Sequence, residues 1–359
     1  MTMTNSLDRL LQTLTQRAVF FMSKKRVFVL LSLSAACLLS FAVFFLILKN
    51  GGEDTQVTAS GENASATFLF AGVDDAGENT DMLMLCRISK EKGSVHFVQI
   101  PRDTFYKTET GKGKINRVYR QNVSKYGKKR AAEGLCAEIS RALGIQIDGY
   151  VVFDTQTVAS FVDLVGGVRV DVPCEIRFFD GKTGSERIIA QGEQLLSGEE
   201  AVAFVRHRKS YVEGDLGRLD AQMRFLGGLS TVLPSLKKID RILAIYQKIL
   251  PNLLTNLTEK DIIEFMMAYL KNGGAYSVLL ARLPGEACYT NGAWYYVLHK
   301  NATEEMLHDV FGVASGSFDA EGRFTDSGKE SLSNIYSSFD RTYRVYTPDE
   351  VANKKILHS

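Results

Sequence analysis

The chain has 359 residues, 45% apolar and 23% charged, with 43 Lys and Arg against 41 Asp and Glu. These averages belong to a folded protein of one large or two ordinary domains, and they exclude wholesale disorder. Five cysteines are too few for a disulfide scaffold, and a net charge of +2 is no footprint of a dedicated nucleic-acid binder.

The first strong local signal is Val27 to Leu48, 22 residues without a charge. Roughly 20 apolar residues cross a bilayer core as a helix, whereas the apolar core of a cleaved secretory signal is about 7–15 residues long. The segment therefore reads as an uncleaved anchor. Arg9, Arg17, Lys24, Lys25 and Arg26 precede it against Asp8 alone, which leaves residues 1–26 in the cytoplasm and sends the rest outside. The basic excess belongs to those 26 residues, and the chain beyond the anchor is slightly acidic. Residues 49–66 are rich in Gly, Ser, Thr, Asn and Glu and read as a flexible linker.

From Thr67 the pattern alternates. Thr67–Val73, Met82–Ile88 and Ser94–Ile100 read as neighbouring strands, and Ala131–Leu143 as a helix stopped by Gly144. Tyr150–Phe153 and Val168–Val172 read as strands around a helix over Thr155–Leu164. Ser197, with Glu200 three residues on, starts a helix that runs to Arg206. Leu216–Lys248 is mostly helical with a break at Pro234, and Glu259–Leu270 is helical again. Tyr276–Leu283 and Trp294–Leu298 read as strands and Glu304–Phe311 as a helix. This order predicts an α/β domain over residues 67–313, a mixed central β-sheet covered by helices, behind one N-terminal transmembrane helix. Residues 314–359 are polar and weakly periodic and read as a C-terminal extension or a loosely packed tail. Four of the cysteines, Cys86, Cys136, Cys174 and Cys288, fall outside the membrane, where two disulfides or free thiols are both open.

The chemistry concentrates at strand ends. Gly72-Val73-Asp74-Asp75 closes one predicted strand and Asn79-Thr80-Asp81 opens the next, so two carboxylates can converge as a hard cation requires. Gly72 and Gly77 have the spacing of a P-loop, but Glu78 and Asn79 stand where Lys and Ser or Thr are needed. Cations follow in two clusters. Arg102, Lys112, Lys114, Arg117 and Arg120 surround Pro101-Arg102-Asp103; Arg206 and Arg208 lead into Asp215, Arg218 and Gln222. Arg206 and Arg208 share a side only if the chain is extended between them, while Arg218 and Gln222 share a helix face. Arginine forks bind phosphate oxygens in pairs, so carboxylates plus arginines at strand ends point to a polyphosphate site.

The strings FLFAGVDD, NTDMLMLCRI, VQIPRDTF, KIN, GEQLLSGEEAVAFVRHRK and DLGRLDAQ, in that order behind one anchor, resemble the LytR-CpsA-Psr family. The resemblance implies a membrane-anchored enzyme on the outer face of the cell membrane. It would move a glycopolymer from a polyprenyl-pyrophosphate lipid carrier to peptidoglycan as a phosphodiester, releasing polyprenyl phosphate. By the same resemblance Asp74 and Asp81 hold Mg²⁺ or Mn²⁺, and Arg102, Lys114, Arg206, Arg208, Arg218 and Gln222 bind the pyrophosphate and head group. Asp103 and Asp215 are candidate bases. Phe153, Phe161 and Leu226 are candidate walls of a channel for the lipid tail. The implied partners are the lipid-linked glycan, the peptidoglycan acceptor and the membrane, with no nucleic acid. The chain departs from the family pattern at Asn79 and at Ala221, where arginine is usual. That leaves two alternatives, a non-catalytic binder or regulator and a lipid pyrophosphatase. A penicillin-binding-protein reading fails because the Ser235–Lys238 pair follows Lys182-Thr183-Gly184 instead of preceding it.

Overall fold

The computed structural model describes residues 65–89, 92–108, 111–181, 183–212, 214–232, 248–257, 277–290, 292–324 and 343–352. Its chain order starts with three strands, β1 (Ser65–Val73), β2 (Thr80–Ser89) and β3 (Ser94–Ile100), then a small hairpin, β4 (Phe105–Thr108) and β5 (Gly111–Lys114). Helices α1 (Asn116–Tyr126) and α2 (Lys128–Leu143) follow, then β6 (Gly149–Phe153), α3 (Thr155–Val165) and β7 (Val168–Val172). Next come β8 (Ile176–Asp180), β9 (Ser185–Ile189), β10 (Gly192–Leu196), α4 (Gly198–Arg206) and α5 (Asp215–Val232). The last part holds β11 (Leu254–Thr255), β12 (Ser277–Arg282), β13 (Gly285–Thr290), β14 (Ala293–Leu298), α6 (Lys300–Met306), β15 (Val345–Tyr346) and α7 (Pro348–Ala352).

Among the described residues the main sheet has the strand order β11-β6-β1-β2-β3-β12-β15. It is mixed: β1 pairs antiparallel with β2 and parallel with β6, and β3 pairs parallel with β12. Alternate residues of the central strands feed two cores. Phe68, Phe70, Met84, Cys86 and Phe97 face the layer of α3, α4 and α5, while Leu69, Ala71, Leu83, Leu85 and Val98 face α1, α2 and α6. Strands apolar on both faces are what a sheet covered on both sides requires. The expected mixed sheet between helices is therefore the architecture found.

Local signals hold at several boundaries. Asp154 caps α3, its carboxylate accepting the backbone N–H of Thr157 at 2.8 Å. The Glu200 carboxylate accepts the Ser197 N–H at 2.9 Å before α4. Gly144 ends α2 with φ 67°, a left-handed cap that glycine adopts without a Cβ penalty. Gly198 lets α3 and α4 touch, since a Cβ there would lie 2.2 Å from the carbonyl oxygen of Ala159.

Other expectations need correction. The short hairpins β4–β5 and β8–β9 and strand β10 lack a strong apolar period, and helix α1 is so polar, burying only Val118 and Tyr119, that its period rests on few residues. The predicted helix Glu304–Phe311 starts earlier, at Lys300, and its last turn, Leu307–Phe311, is π-helical. The described part of the C-terminal extension is not loosely packed. Phe318 and Phe324 stack in the core at 5.7 Å, β15 pairs with β12 and closes that edge of the main sheet, and Val351 is buried. A few apolar anchors in a polar stretch carry that docking. Cys86, Cys136, Cys174 and Cys288 are free thiols. Cys86 is buried in the sheet and burial pushes its thiol up, while Cys136 is pushed up to about 12. The segment Val27–Leu48, most of Leu216–Lys248 beyond Val232, and Glu259–Leu270 lie outside the described residues. Among the described residues no helix is long and apolar enough to cross a membrane.

Candidate functional site

Register brings the chemistry to one edge of the sheet. Gly72 pairs with Met82 and with Phe153, and Leu83 pairs with Ile100. The carboxyl ends of β1, β3 and β6 and the start of β2 therefore lie side by side. Loop 74–79, Arg102–Asp103 and Asp154–Thr155 leave the sheet there, the position where ligands bind in open α/β sheets. The hairpins β4–β5 and β13–β14 wall one side, joined by a bridge between Thr104 and Tyr296.

Two cavities meet at this edge. A polar cleft of about 560 Å³ is lined by Asp74, Asn79, Asp81, Arg102, Asp103, Lys114, Asn116, Arg117, Arg120, Arg206, Arg208, Ala293 and Tyr295. Six cationic side chains thus face three carboxylates. The second cavity, about 120 Å³, runs inward between the sheet and α3 and α5, and its walls include Phe70, Val151, Phe153, Phe161, Phe225, Leu226 and Leu229. Asp81 and Arg206 line both, so the polar cleft opens directly onto the apolar pocket. All three residues put forward for an apolar channel, Phe153, Phe161 and Leu226, stand in the second cavity.

Each polar side chain is held by its element. Asp74 caps its own loop, accepting the N–H of Glu78 at 2.9 Å and the side-chain amide of Asn79 at 2.6 Å. Burial pushes its carboxyl up, but the amide and the three backbone N–H groups outweigh that and leave it below the ordinary carboxylate range. Asn79, where the family pattern has arginine, is thus tied to Asp74. Arg102 hydrogen-bonds Asp81 through Nη1, and its Nε is buried without a hydrogen-bond partner among the described residues. Asp103 receives Lys114 at 2.9 Å. Arg206 is the last residue of α4; the backbone at His207 is extended (φ −63°, ψ 142°), which lets Arg206 and Arg208 line the same cleft.

Asp215, on the first turn of α5, is the common partner of three guanidinium groups. Its Oδ1 lies 2.8 Å from Arg218, 3.5 Å from Arg102 and 3.8 Å from Arg208. Arg218 is only 2% exposed; burial pulls its guanidinium down, Asp215 holds it up, and its Nε has no hydrogen-bond partner among the described residues.

The sequence candidates therefore divide. Asp74, Asp81, Arg102, Asp103, Lys114, Arg206 and Arg208 share the polar cleft. Arg218 and Gln222 line the apolar pocket instead, and Asp215 joins the cleft only through its ion pairs. The Gln222 amide is already engaged, Oε1 accepting from Gln99 at 2.9 Å and Nε2 donating to the Val205 carbonyl at 3.4 Å. It braces the end of α4 beside Arg206. Sequence reasoning missed Asp75, which accepts Arg206 at 3.0 Å and the Thr155 hydroxyl, and Tyr295, whose ring faces Lys114 Nζ at 5.8 Å. Asp75 stands beside Asp74 and had a motif to point to it. Tyr295 comes from a distant hairpin and carried no signal.

Among the described residues no group of three or more His, Cys, Asp or Glu side chains is placed to hold a metal. Mg²⁺ needs less when its substrate carries phosphate: one or two carboxylates, with phosphate oxygens and water completing the shell. Two aspartates in a cleft rich in arginine fit that donor set.

A family model described as the LytR_cpsA_psr family matches residues 48–311. The chain belongs to the LytR_cpsA_psr family. The matched span contains every site residue named above. Among members of the family, the polyisoprenyl-teichoic acid–peptidoglycan teichoic acid transferase TagU of Bacillus mycoides is 28% identical over 269 residues, which cover 73% of this chain and 82% of TagU. The corresponding transferase TagV of Bacillus subtilis is 34% identical over 204 residues, covering 53% of this chain and 49% of TagV, about half of its length. The crystal structure of B. subtilis TagV aligns with a TM-score of 0.57 at 26% identity, covering 71% of this chain and all of that one. The mixed sheet flanked by helices is thus the fold of the LytR_cpsA_psr family.

Proposed function

We propose that this protein is a transferase that moves a glycopolymer from a polyprenyl-pyrophosphate carrier to peptidoglycan, anchored to the membrane through Val27–Leu48. The observation that carries the reading is the junction at Asp81 and Arg206, where a cationic cleft opens onto an apolar pocket. An amphiphile with an anionic head and a hydrocarbon tail matches both halves. The relatives named for transfer of teichoic acid from a polyisoprenyl carrier to peptidoglycan support the reaction class.

In the reaction a hydroxyl oxygen of the acceptor sugar attacks the polymer-side phosphorus. A new P–O bond forms, the bond to the bridging oxygen breaks, and polyprenyl phosphate leaves. Arg102, Arg206 and Arg208 hold the phosphate oxygens and stabilise charge as it shifts to the leaving group. Asp74 and Asp81 would hold Mg²⁺, which supplies Lewis-acid neutralisation of the pyrophosphate when bound. Asp103 lines the cleft and is the better placed of the two candidate bases to take the hydroxyl proton, whereas Asp215 is committed to three guanidinium groups. Phe153, Phe161 and Leu226 would shelter the first isoprene units.

The test uses full-length protein in detergent micelles with a polyprenyl-pyrophosphate glycan, peptidoglycan chains and Mg²⁺. Transfer that needs the metal and is lost in Asp81→Ala is the expected result. Tight donor binding without turnover would replace the transferase by a carrier-binding protein, and polyprenyl phosphate release without sugar transfer would make it a pyrophosphatase.

A further inference from the structure

Residues 111–132 contain eight cations, Lys112, Lys114, Arg117, Arg120, Lys125, Lys128, Lys129 and Arg130, and no carboxylate. The run begins inside the polar cleft, where Lys114, Arg117 and Arg120 are lining residues, and leaves it along the exposed side of α1. It ends on the first turn of α2. There it stays beside the site: a Cβ on Gly77, in the loop that carries Asp74, would lie 3.0 Å from Lys128 Nζ. The cations thus run in chain order from the cleft lining to the exposed first turn of α2.

Fold stability does not account for this pattern. Arg117, Lys128, Lys129 and Arg130 have no carboxylate within ion-pairing distance among the described residues, and Arg120 reaches Glu78 only at 3.9 Å. The first turn of α2 holds three cations and no acidic residue, the wrong sign for the positive end of a helix dipole. Like charges gathered on one ridge repel one another, and outside the first 26 residues the chain is slightly acidic. Cations gathered on one ridge, four of them without a carboxylate partner among the described residues and three of them set against a helix dipole, are matched by a polyanion.

We infer that the ridge of α1 and the first turn of α2 is a track for the polymer part of the donor, and that it selects a chain bearing repeated phosphate groups over a neutral glycan. The inference rests on the transferase reading for the position of the donor's pyrophosphate. A polymer attached to that pyrophosphate leaves the cleft past Arg117 and Arg120, so a phosphodiester chain meets cations from its first repeats outward. An acidic membrane surface is the competing occupant, but it has no reason to share lining residues with the cleft.

The test is direct binding to the full-length protein in phosphatidylcholine nanodiscs, using lipid-free fluorescent poly(glycerol phosphate) and a neutral dextran of equal length. The variant carries Lys125→Gln, Lys128→Gln, Lys129→Gln and Arg130→Gln, all outside the cleft lining. Wild type is expected to bind the polyanion with a steep salt dependence and to ignore the dextran. The variant should bind at least tenfold more weakly, with a log–log salt slope shallower by about 3, as loss of four phosphate contacts implies. Its turnover of a donor bearing a single disaccharide should be unchanged. Equal polyanion binding by both proteins, equal binding of dextran, or a parallel loss of short-donor turnover would overturn the inference. So would a defect that appears only when the nanodisc contains acidic lipid, which would make the ridge a membrane contact. Polyanion binding that depends on the four cations, in a protein that turns over no donor, would uphold the track while refuting the transferase.

Discussion

Asp215→Asn separates a charge-holding role from a proton-transfer role. The substitution keeps shape and removes one negative charge from a point 2.8–3.8 Å from three guanidinium groups. Arg218 is buried, and losing one partner of a buried pair costs about 3–5 kcal/mol. Asp215 itself is 26% exposed at its side chain, so solvent screening lowers that figure to about 2–3 kcal/mol. Loss of an acidic group from the first turn of α5 contributes a few tenths more in the same direction. The melting temperature should therefore fall by about 5–10 °C, taking roughly 2–4 °C per kcal/mol for a domain of this size. Inorganic pyrophosphate should restore more stability to the variant than to the wild type, because the anion takes over the role of the missing carboxylate. A tenfold gain in affinity corresponds to about 1.4 kcal/mol of extra stabilisation at a fixed, saturating concentration. Differential scanning fluorimetry of both full-length proteins across a pyrophosphate titration measures both effects. A variant as stable as the wild type, or one destabilised with no stronger response to pyrophosphate, would refute the reasoning. Lost turnover at unchanged stability would instead identify Asp215 as the base.

Further expectations concern other parts of the fold. His96 is held neutral by burial, with Lys92 and Arg87 adding to the effect, and its pKa lies at about 4. The unfolded chain binds more protons between that value and the ordinary histidine value near 6.5, so stability should be full above pH 6.5 and decline as pH falls toward 4. Urea unfolding across that window should show the decline, and His96→Leu should flatten it. Gly198→Ala should destabilise by about 3 kcal/mol, because the new Cβ meets backbone at Ala159 instead of a movable side chain; chemical denaturation with an unchanged m-value checks this. Restoring the arginines usual in the family should give opposite outcomes. Ala221 is 1% exposed within the core, so Ala221→Arg should prevent stable folding, whereas Asn79→Arg, at the rim of the cleft, should fold and alter only metal or donor affinity. Circular dichroism and a Mg²⁺ titration of donor binding separate the two.

Much of the architecture was legible because its signals are local. Strands apolar on both faces announce a covered sheet, Ser197 with Glu200 announces the start of α4, and Gly144 marks the end of α2. The aspartates and arginines were legible as residue types at strand ends, together with the collinear motifs that resemble the family. Tertiary structure decided how they divide. Only the register of β1, β2, β3 and β6 sets loop 74–79 beside Arg102, and only the packing of α5 on the sheet turns Arg218 and Gln222 toward the apolar pocket. The same holds for Asp215 as the partner of three arginines, Tyr295 in the cleft wall, and Phe318 and Phe324 in the core. These are contacts between residues far apart in the chain, set by shape and burial, and no periodicity records them. Sequence determines which groups are available and which segments hold them; long-range packing determines which of those groups meet.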